Sequence, residues 1–272
     1  MAGMYQFIPG EVDMASVHAQ NFGFPTDPTS QTEQLIRDGL AALESADAWN
    51  RVGDAVRDGI SCLTSAHPDL DIPDLQVLLV LGDPTNAHFV DEVQGVSGFG
   101  GISGYIVITV WPTSRVLDRL EAIVVHELHH NVRYSPGGIT WNPATVTVGE
   151  HVVAEGLADV FAAELYGPRG YTHFVSDEVR TDDAVLAKVA GGLKVTGMAD
   201  FASWVLGDAS ARQFGAQPVG LPTGAGYAVG ARIVQAYADV AGTTAAQSVH
   251  TPSADILSVA LRRLGLPPYV AD

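Results

Sequence analysis

The chain has 272 residues, 47% hydrophobic and 17% charged, a composition that builds a core and excludes disorder as its main theme. Its 14 Lys and Arg against 31 Asp and Glu give a formal charge of −17, which argues against nucleic-acid and membrane partners, since both are bound chiefly through Lys and Arg. A single cysteine, Cys62, excludes an internal disulfide and a thiolate metal site, and is expected as a small buried side chain.

In chain order, residues 1–9 lack a basic segment followed by a long apolar core, so no secretory leader is expected. No apolar run approaches the ~20 residues that span a bilayer, and the cytoplasm is the expected location. The first 70 residues read as a polar lead-in followed by helices. Leu35, Ile36, Gly39, Leu40 and Leu43 fall at helical spacing within 31–45, behind Thr29 and Ser30 as caps, and a second helix covers 48–65. Residues 76–82 form a short apolar run closed by Gly82-Asp83-Pro84, which suits a buried strand. Residues 105–111, β-branched and aromatic and closed by Pro112, predict another.

Between these strands lie Gly95, Gly98, Gly100, Gly101 and Gly104. They fit no GxGxxG register and precede a strand where the nucleotide fingerprint follows one, so they read as turns or a flexible rim. From Ser114 onward helices are expected over 114–133, 148–166, 183–193, 200–206, 225–240 and 255–264. The reading is one α+β domain over 1–272: a helical lead-in (1–70), a small mixed sheet with the motif helix (71–135), and a mostly helical remainder (136–272).

The helix beginning after Thr113/Ser114 contains His126-Glu127-Leu128-His129-His130, an HExxH motif. One turn separates the two outer histidines and only about 40° around the axis, so both imidazoles can point at one ion. Glu127 lies to the side, where its carboxylate can deprotonate a bound water. Flanking Ile123, Val124, Val125 and Leu128 imply a buried helix, in which three histidines and a glutamate are costly without a partner.

A catalytic zinc needs a third protein ligand and an open fourth position. A metzincin continuation would require Gly and His where Arg133 and Pro136 stand, so the ligand must come from elsewhere. Glu155, 25 residues after His130 on the next helix, is the candidate. His151, one turn earlier on the same face, is an alternative to it, and Glu150, well round the axis, a poorer one. Asp159, one turn after Glu155, is placed to accept the spare N–H of a ligand histidine. Gly156 lets two helices approach closely beside the ligand. His129, one position off the ligand register, reads as a second-layer partner of the site or a core hydrogen-bonder.

The segments HELHHNVRY, VGEHVVAEGLADVFAAELYG and GYAVGARIVQAY resemble the family of predicted zinc-dependent proteases also described as a domain of unknown function, of the gluzincin metallopeptidase type. The likeness spans roughly residues 75–260. It implies a gluzincin-like fold in which His126, His130 and Glu155 hold one Zn2+ per chain, Glu127 acts as general base and Asp159 supports the site. It also implies that an edge strand just before the motif helix, here 105–111, pairs with an extended peptide or protein substrate. The GYxxG pattern makes Tyr227 the candidate donor to the developing oxyanion, with Tyr134, His173 and His250 as weaker ones. The expected activity is zinc-dependent hydrolysis of peptide bonds. The alternative is a catalytically silent zinc-binding scaffold serving protein interaction, against which the intact Glu127 argues.

Overall fold

The structure, a computed structural model, describes residues 18–270, so the segment 1–9 read above lies outside it. Helix α1 (Ser30–Ser45) starts where Thr29 accepts the Thr32 N–H, as the cap residues predict. Helix α2 (Ala48–Ala66) follows, with Cys62 half-buried instead of fully buried. Strands β1 (Gln76–Leu81), β2 (Val96–Ile102) and β3 (Tyr105–Val110) make a three-stranded sheet in the order β1-β3-β2. β1 and β3 run parallel and β2 pairs antiparallel to β3, with an irregular register between Phe99 and Ile102.

The fold is α+β with a small mixed sheet, but the expected edge strand is misplaced. β3 is the centre of the sheet, hydrogen-bonded on both sides, and the glycine-rich segment forms the edge strand β2. An almost entirely buried, β-branched strand such as β3 belongs in the middle, where both faces and both edges are covered.

The expected helix over 114–133 is broken at Asp118-Arg119 into α3 (Ser114–Leu117), capped by Thr113, and α4 (Leu120–Arg133), which carries the motif. Helix α5 (Val148–Tyr166) is buried from Val148 to Ala162, its polar side chains Glu150, His151, Glu155 and Asp159 included, and is capped by Thr147 accepting the Glu150 N–H. Shorter helices α6 (Asp177–Thr181), α7 (Asp183–Gly192) and α8 (Asp208–Gln213) lead to α9 (Ala225–Ala241) and α10 (Ser253–Arg263). α5 is the hub, packed on α4, α9 and α10, while α4 fits between α5, α2 and strand β2. Buried side chains of α1 to α5, α7, α9, α10 and the sheet share one core, including Leu43, Leu63, Ile108, Leu128, Phe161 and Ile233.

Two glycine contacts fix the positions that matter for the site. A methyl group on Gly98 would collide with the Glu127 carboxylate, and one on Gly100 with the Glu127 backbone, so β2 lies directly on the motif helix. Gly156 meets Gly230 of α9 backbone to backbone. The close approach anticipated at Gly156 therefore brings in α9, the helix of Tyr227, and not the motif helix.

Candidate metal centre

Among the described residues, His126, His130 and Glu155 form a buried group whose ligand atoms converge. His126 Nε2 and His130 Nε2 are 3.1 Å apart, and Glu155 Oε2 lies 3.1 Å from the first and 3.2 Å from the second. A tetrahedral zinc with ligands at about 2.0–2.1 Å sets those ligands about 3.3 Å apart, so the triangle fits such an ion. The donor chemistry fits as well: two imidazoles and one carboxylate form a known catalytic set, and the triangle faces a cavity of about 950 Å3.

The surroundings of the triangle are short of positive charge. Burial opposes protonation of His126, but hydrogen bonds to Asp159 and Glu155 hold its pKa well above the ordinary value. Burial would raise Glu155, yet the neighbouring His130 and His126 bring it well below the usual carboxylate range. Burial pushes Glu127 up, against the pull of His126 and His130. Three buried carboxylates around two imidazoles make a pocket that attracts a cation.

Asp159, fully buried, accepts from His126 Nδ1 at 3.1 Å and from the Thr172 backbone N–H and hydroxyl at 3.2 and 2.7 Å. The Glu127 carboxylate packs against Gly98 of β2. The Tyr227 ring lies 6.1 Å from that of His126 at 23°, which places the phenol beside the triangle. Burial and then the charges of Glu155 and Glu127 push the Tyr227 phenol well above its ordinary pKa.

The other candidates are distributed differently. His129 turns away from the triangle: its Nε2 is 3.3 Å from the Ala245 carbonyl and its ring packs 5.3 Å from Phe161, so its bonding is that of a core residue. Glu150 is paired with Arg133 in two hydrogen bonds of 2.8 and 2.9 Å and accepts the Tyr134 hydroxyl at 3.0 Å. His173 is bonded to the Gln94 carbonyl and His250 to the Val132 carbonyl. His151 lines the cavity with its ring 4.7 Å from Phe201 and its buried Nε2 without a protein partner, outside the ligand triangle.

Asn131 carries no motif signal, yet it ties the edge strand to the motif helix. Its Nδ2 donates to the carbonyls of Gly100, Ile102 and Tyr105 at 3.0, 2.6 and 2.9 Å, and its Oδ1 accepts the Gly104 N–H at 3.0 Å. Its one available signal is its place one residue after His130. Four exposed large apolar side chains, Phe99, Trp141, Met198 and Phe214, come from separate segments to line the same cavity. No described helix is long and apolar enough to cross a membrane.

Residues 48–258 match the family described as "Predicted Zn-dependent protease (DUF2268)". The chain is also 34% identical over 184 residues to "Uncharacterized protein YjfC" of Bacillus subtilis (strain 168), a match covering 66% of this chain and 59% of that protein's length. No solved structure matches the chain. With the family model covering most of its length, including helices α4 and α5, the chain belongs to this family of predicted zinc-dependent proteases.

Proposed function

We propose that the chain is a zinc-dependent peptidase of gluzincin type, in which His126, His130 and Glu155 hold one zinc ion and Glu127 is the general base. The observation that carries this reading is the triangle of ligand atoms 3.1–3.2 Å apart at the wall of the cavity. A zinc ion held there supplies Lewis acidity toward the scissile carbonyl and the attacking water. Glu127 takes the proton of that water and delivers it to the leaving amine, and strand β2 packs against its carboxylate at Gly98.

Asp159 accepts the Nδ1–H of His126, which selects the tautomer whose Nε2 lone pair faces the triangle. Tyr227 is the proposed donor to the developing oxyanion, because its hydroxyl is beside the ligands while Tyr134, His173 and His250 are committed elsewhere. The substrate is a peptide or protein segment in extended form, docked on the edge strand β2 in place of the central strand β3. The core shared by helices from α1 to α10 at either end of the described residues and by the sheet leads us to treat the chain as one catalytic domain.

Glu127→Gln is expected to keep its zinc and to lose cleavage of an unbiased peptide library by about 10³-fold, the range that a general base contributes. A Glu127→Gln protein that cleaves as fast as wild type contradicts the assignment. Equal inertness of both across broad libraries, with zinc bound, turns the reading to the silent scaffold.

A further inference from the structure

The cavity runs along α4, and its wall changes character at the N-terminal end of that helix. Arg119, at the start of α4, stands seven residues before His126, which is about 10 Å along the axis and nearly the same face. It lines the same cavity as His126, Glu127, Arg169 and His173. Its side chain is 26% exposed, and its buried Nε has no hydrogen-bond partner. Nε is closed off, so a ligand in the cavity meets the terminal Nη groups, of which Nη1 makes one long contact of 3.4 Å to Asp118.

The local charge points the same way. Asp118 is shared by two guanidinium groups, lying 3.4 Å from Arg119 and 3.2 Å from Arg169, so one positive charge is left unmatched. Glu121, the next acid along, is already held by Arg51 through two hydrogen bonds of 2.6 and 2.7 Å. Burial lowers the His173 pKa, its bond to Gln94 raises it, and the charges of Arg119 and Arg115 lower it again, which sets both arginines within electrostatic reach of the cavity wall. In a chain of net charge −17 with only 14 Lys and Arg, a cationic end of the cleft stands out against the acidic surface.

We propose that Arg119, assisted by Arg169, forms a subsite for a carboxylate of the bound peptide, about three residues from the bond cleaved, since an extended chain advances about 3.3 Å per residue. The inference rests on the peptidase reading and names the substrate class for that site: peptides bearing a carboxylate at this distance, either the C-terminal carboxylate or an Asp or Glu side chain. A planar guanidinium suits that group because it can offer two parallel N–H donors to its two oxygens.

Three octapeptide libraries test it on the zinc-loaded full chain. One has free C-termini, a second is identical but amidated, and a third is amidated with Asp scanned against Asn at each position. Cleavage by wild type is read by mass spectrometry, and retention of intact peptides is read on the Glu127→Gln protein. Peptides with the carboxylate about three residues from the cut are expected to be cleaved and retained about tenfold better than their neutral partners, the scale of a charge-assisted hydrogen bond. The first two libraries report a terminal carboxylate and the third a side-chain one.

Arg119→Gln is expected to bring acid and neutral partners to equality, and Arg169→Gln, at a half-exposed position, to shrink the ratio in the same direction. Equal treatment of acid and neutral peptides by a wild type that cleaves both overturns the subsite and leaves the peptidase reading intact. Retention of acid over neutral peptides without any cleavage by wild type upholds the subsite and overturns the peptidase reading. A protein that neither cleaves nor retains any peptide overturns both.

Discussion

Helices α4 and α5 meet in two buried polar clusters. At one, Arg133 donates to both oxygens of Glu150 and to the carbonyls of Val249 and Thr251, while Tyr134 donates to the same carboxylate. At the other, His126, His130 and Glu155 turn three ligand atoms toward one another at 3.1–3.2 Å. In the first, donors and acceptors are matched within the protein and nothing further is needed. In the second, three potential ligand atoms converge on one point at the wall of the cavity, an arrangement compatible with a bound cation. Burial alone does not distinguish the two, since Arg133 is fully buried and the three ligand residues are each 8% exposed. The distinction lies in whether the polar groups complete one another.

Breaking the matched cluster should cost stability and leave zinc binding intact. Arg133→Met leaves Glu150 buried without its partner, and a loss of about 3–5 kcal/mol is expected in denaturant unfolding, with zinc per folded chain unchanged. The double change Arg133→Met with Glu150→Leu should recover most of that loss, because no uncompensated charge remains. A single variant within about 1 kcal/mol of wild type would show that the pair does not hold the two helices together.

Gly98→Ala addresses the other cluster without touching a ligand. The new methyl group meets the Glu127 carboxylate, so this side chain, the proposed base, must move while His126, His130 and Glu155 keep their places. Cleavage is expected to fall about a hundredfold with zinc retained, the effect of a displacement of about 1 Å at a catalytic group. Unchanged turnover would mean that β2 does not position the base.

The smallest effect comes from a pair outside both clusters. Burial raises the Glu121 pKa, but the hydrogen bonds and charge of Arg51 outweigh it and bring it below the ordinary value. Because the folded pKa lies below the unfolded one, the stabilisation is complete above about pH 4.3 and fades as pH falls through the folded value. The pair is partly exposed, so Glu121→Gln should lower stability by at most about 1 kcal/mol at pH 7, and the gap to wild type should narrow as pH falls below about 4.3.

Much of this architecture is written locally in the chain. The helical periodicity behind Thr29, the HELHH spacing, and the apolar runs of β1 and β3 each specify their element through nearest neighbours. β2 is not legible in that way. Gly98 and Gly100 have poor strand propensity, and they are glycines because Glu127, some thirty residues later, occupies the space a side chain would need. That long-range cause reads locally as a turn, and so the edge position is expected of residues 105–111. A nearly continuous β-branched run is itself a sign of a strand covered on both sides, which the placement beside the motif helix overrode.

Other parts depend on folding that no spacing rule reports. Asn131 acts through four backbone groups of a hairpin remote in sequence, and Arg119 matters because the helix breaks just before it. Gly156 signals a close approach, but the sequence does not say that its neighbour is Gly230.

Zinc content measured on purified wild type and Glu155→Gln after equilibration with stoichiometric zinc at neutral pH tests the contrast between the clusters most directly. About one zinc per wild-type chain is expected, and little or none in the variant. A wild type that takes up no zinc, or a Glu155→Gln protein that binds it as fully, would contradict the assignment of the open cluster as the metal centre.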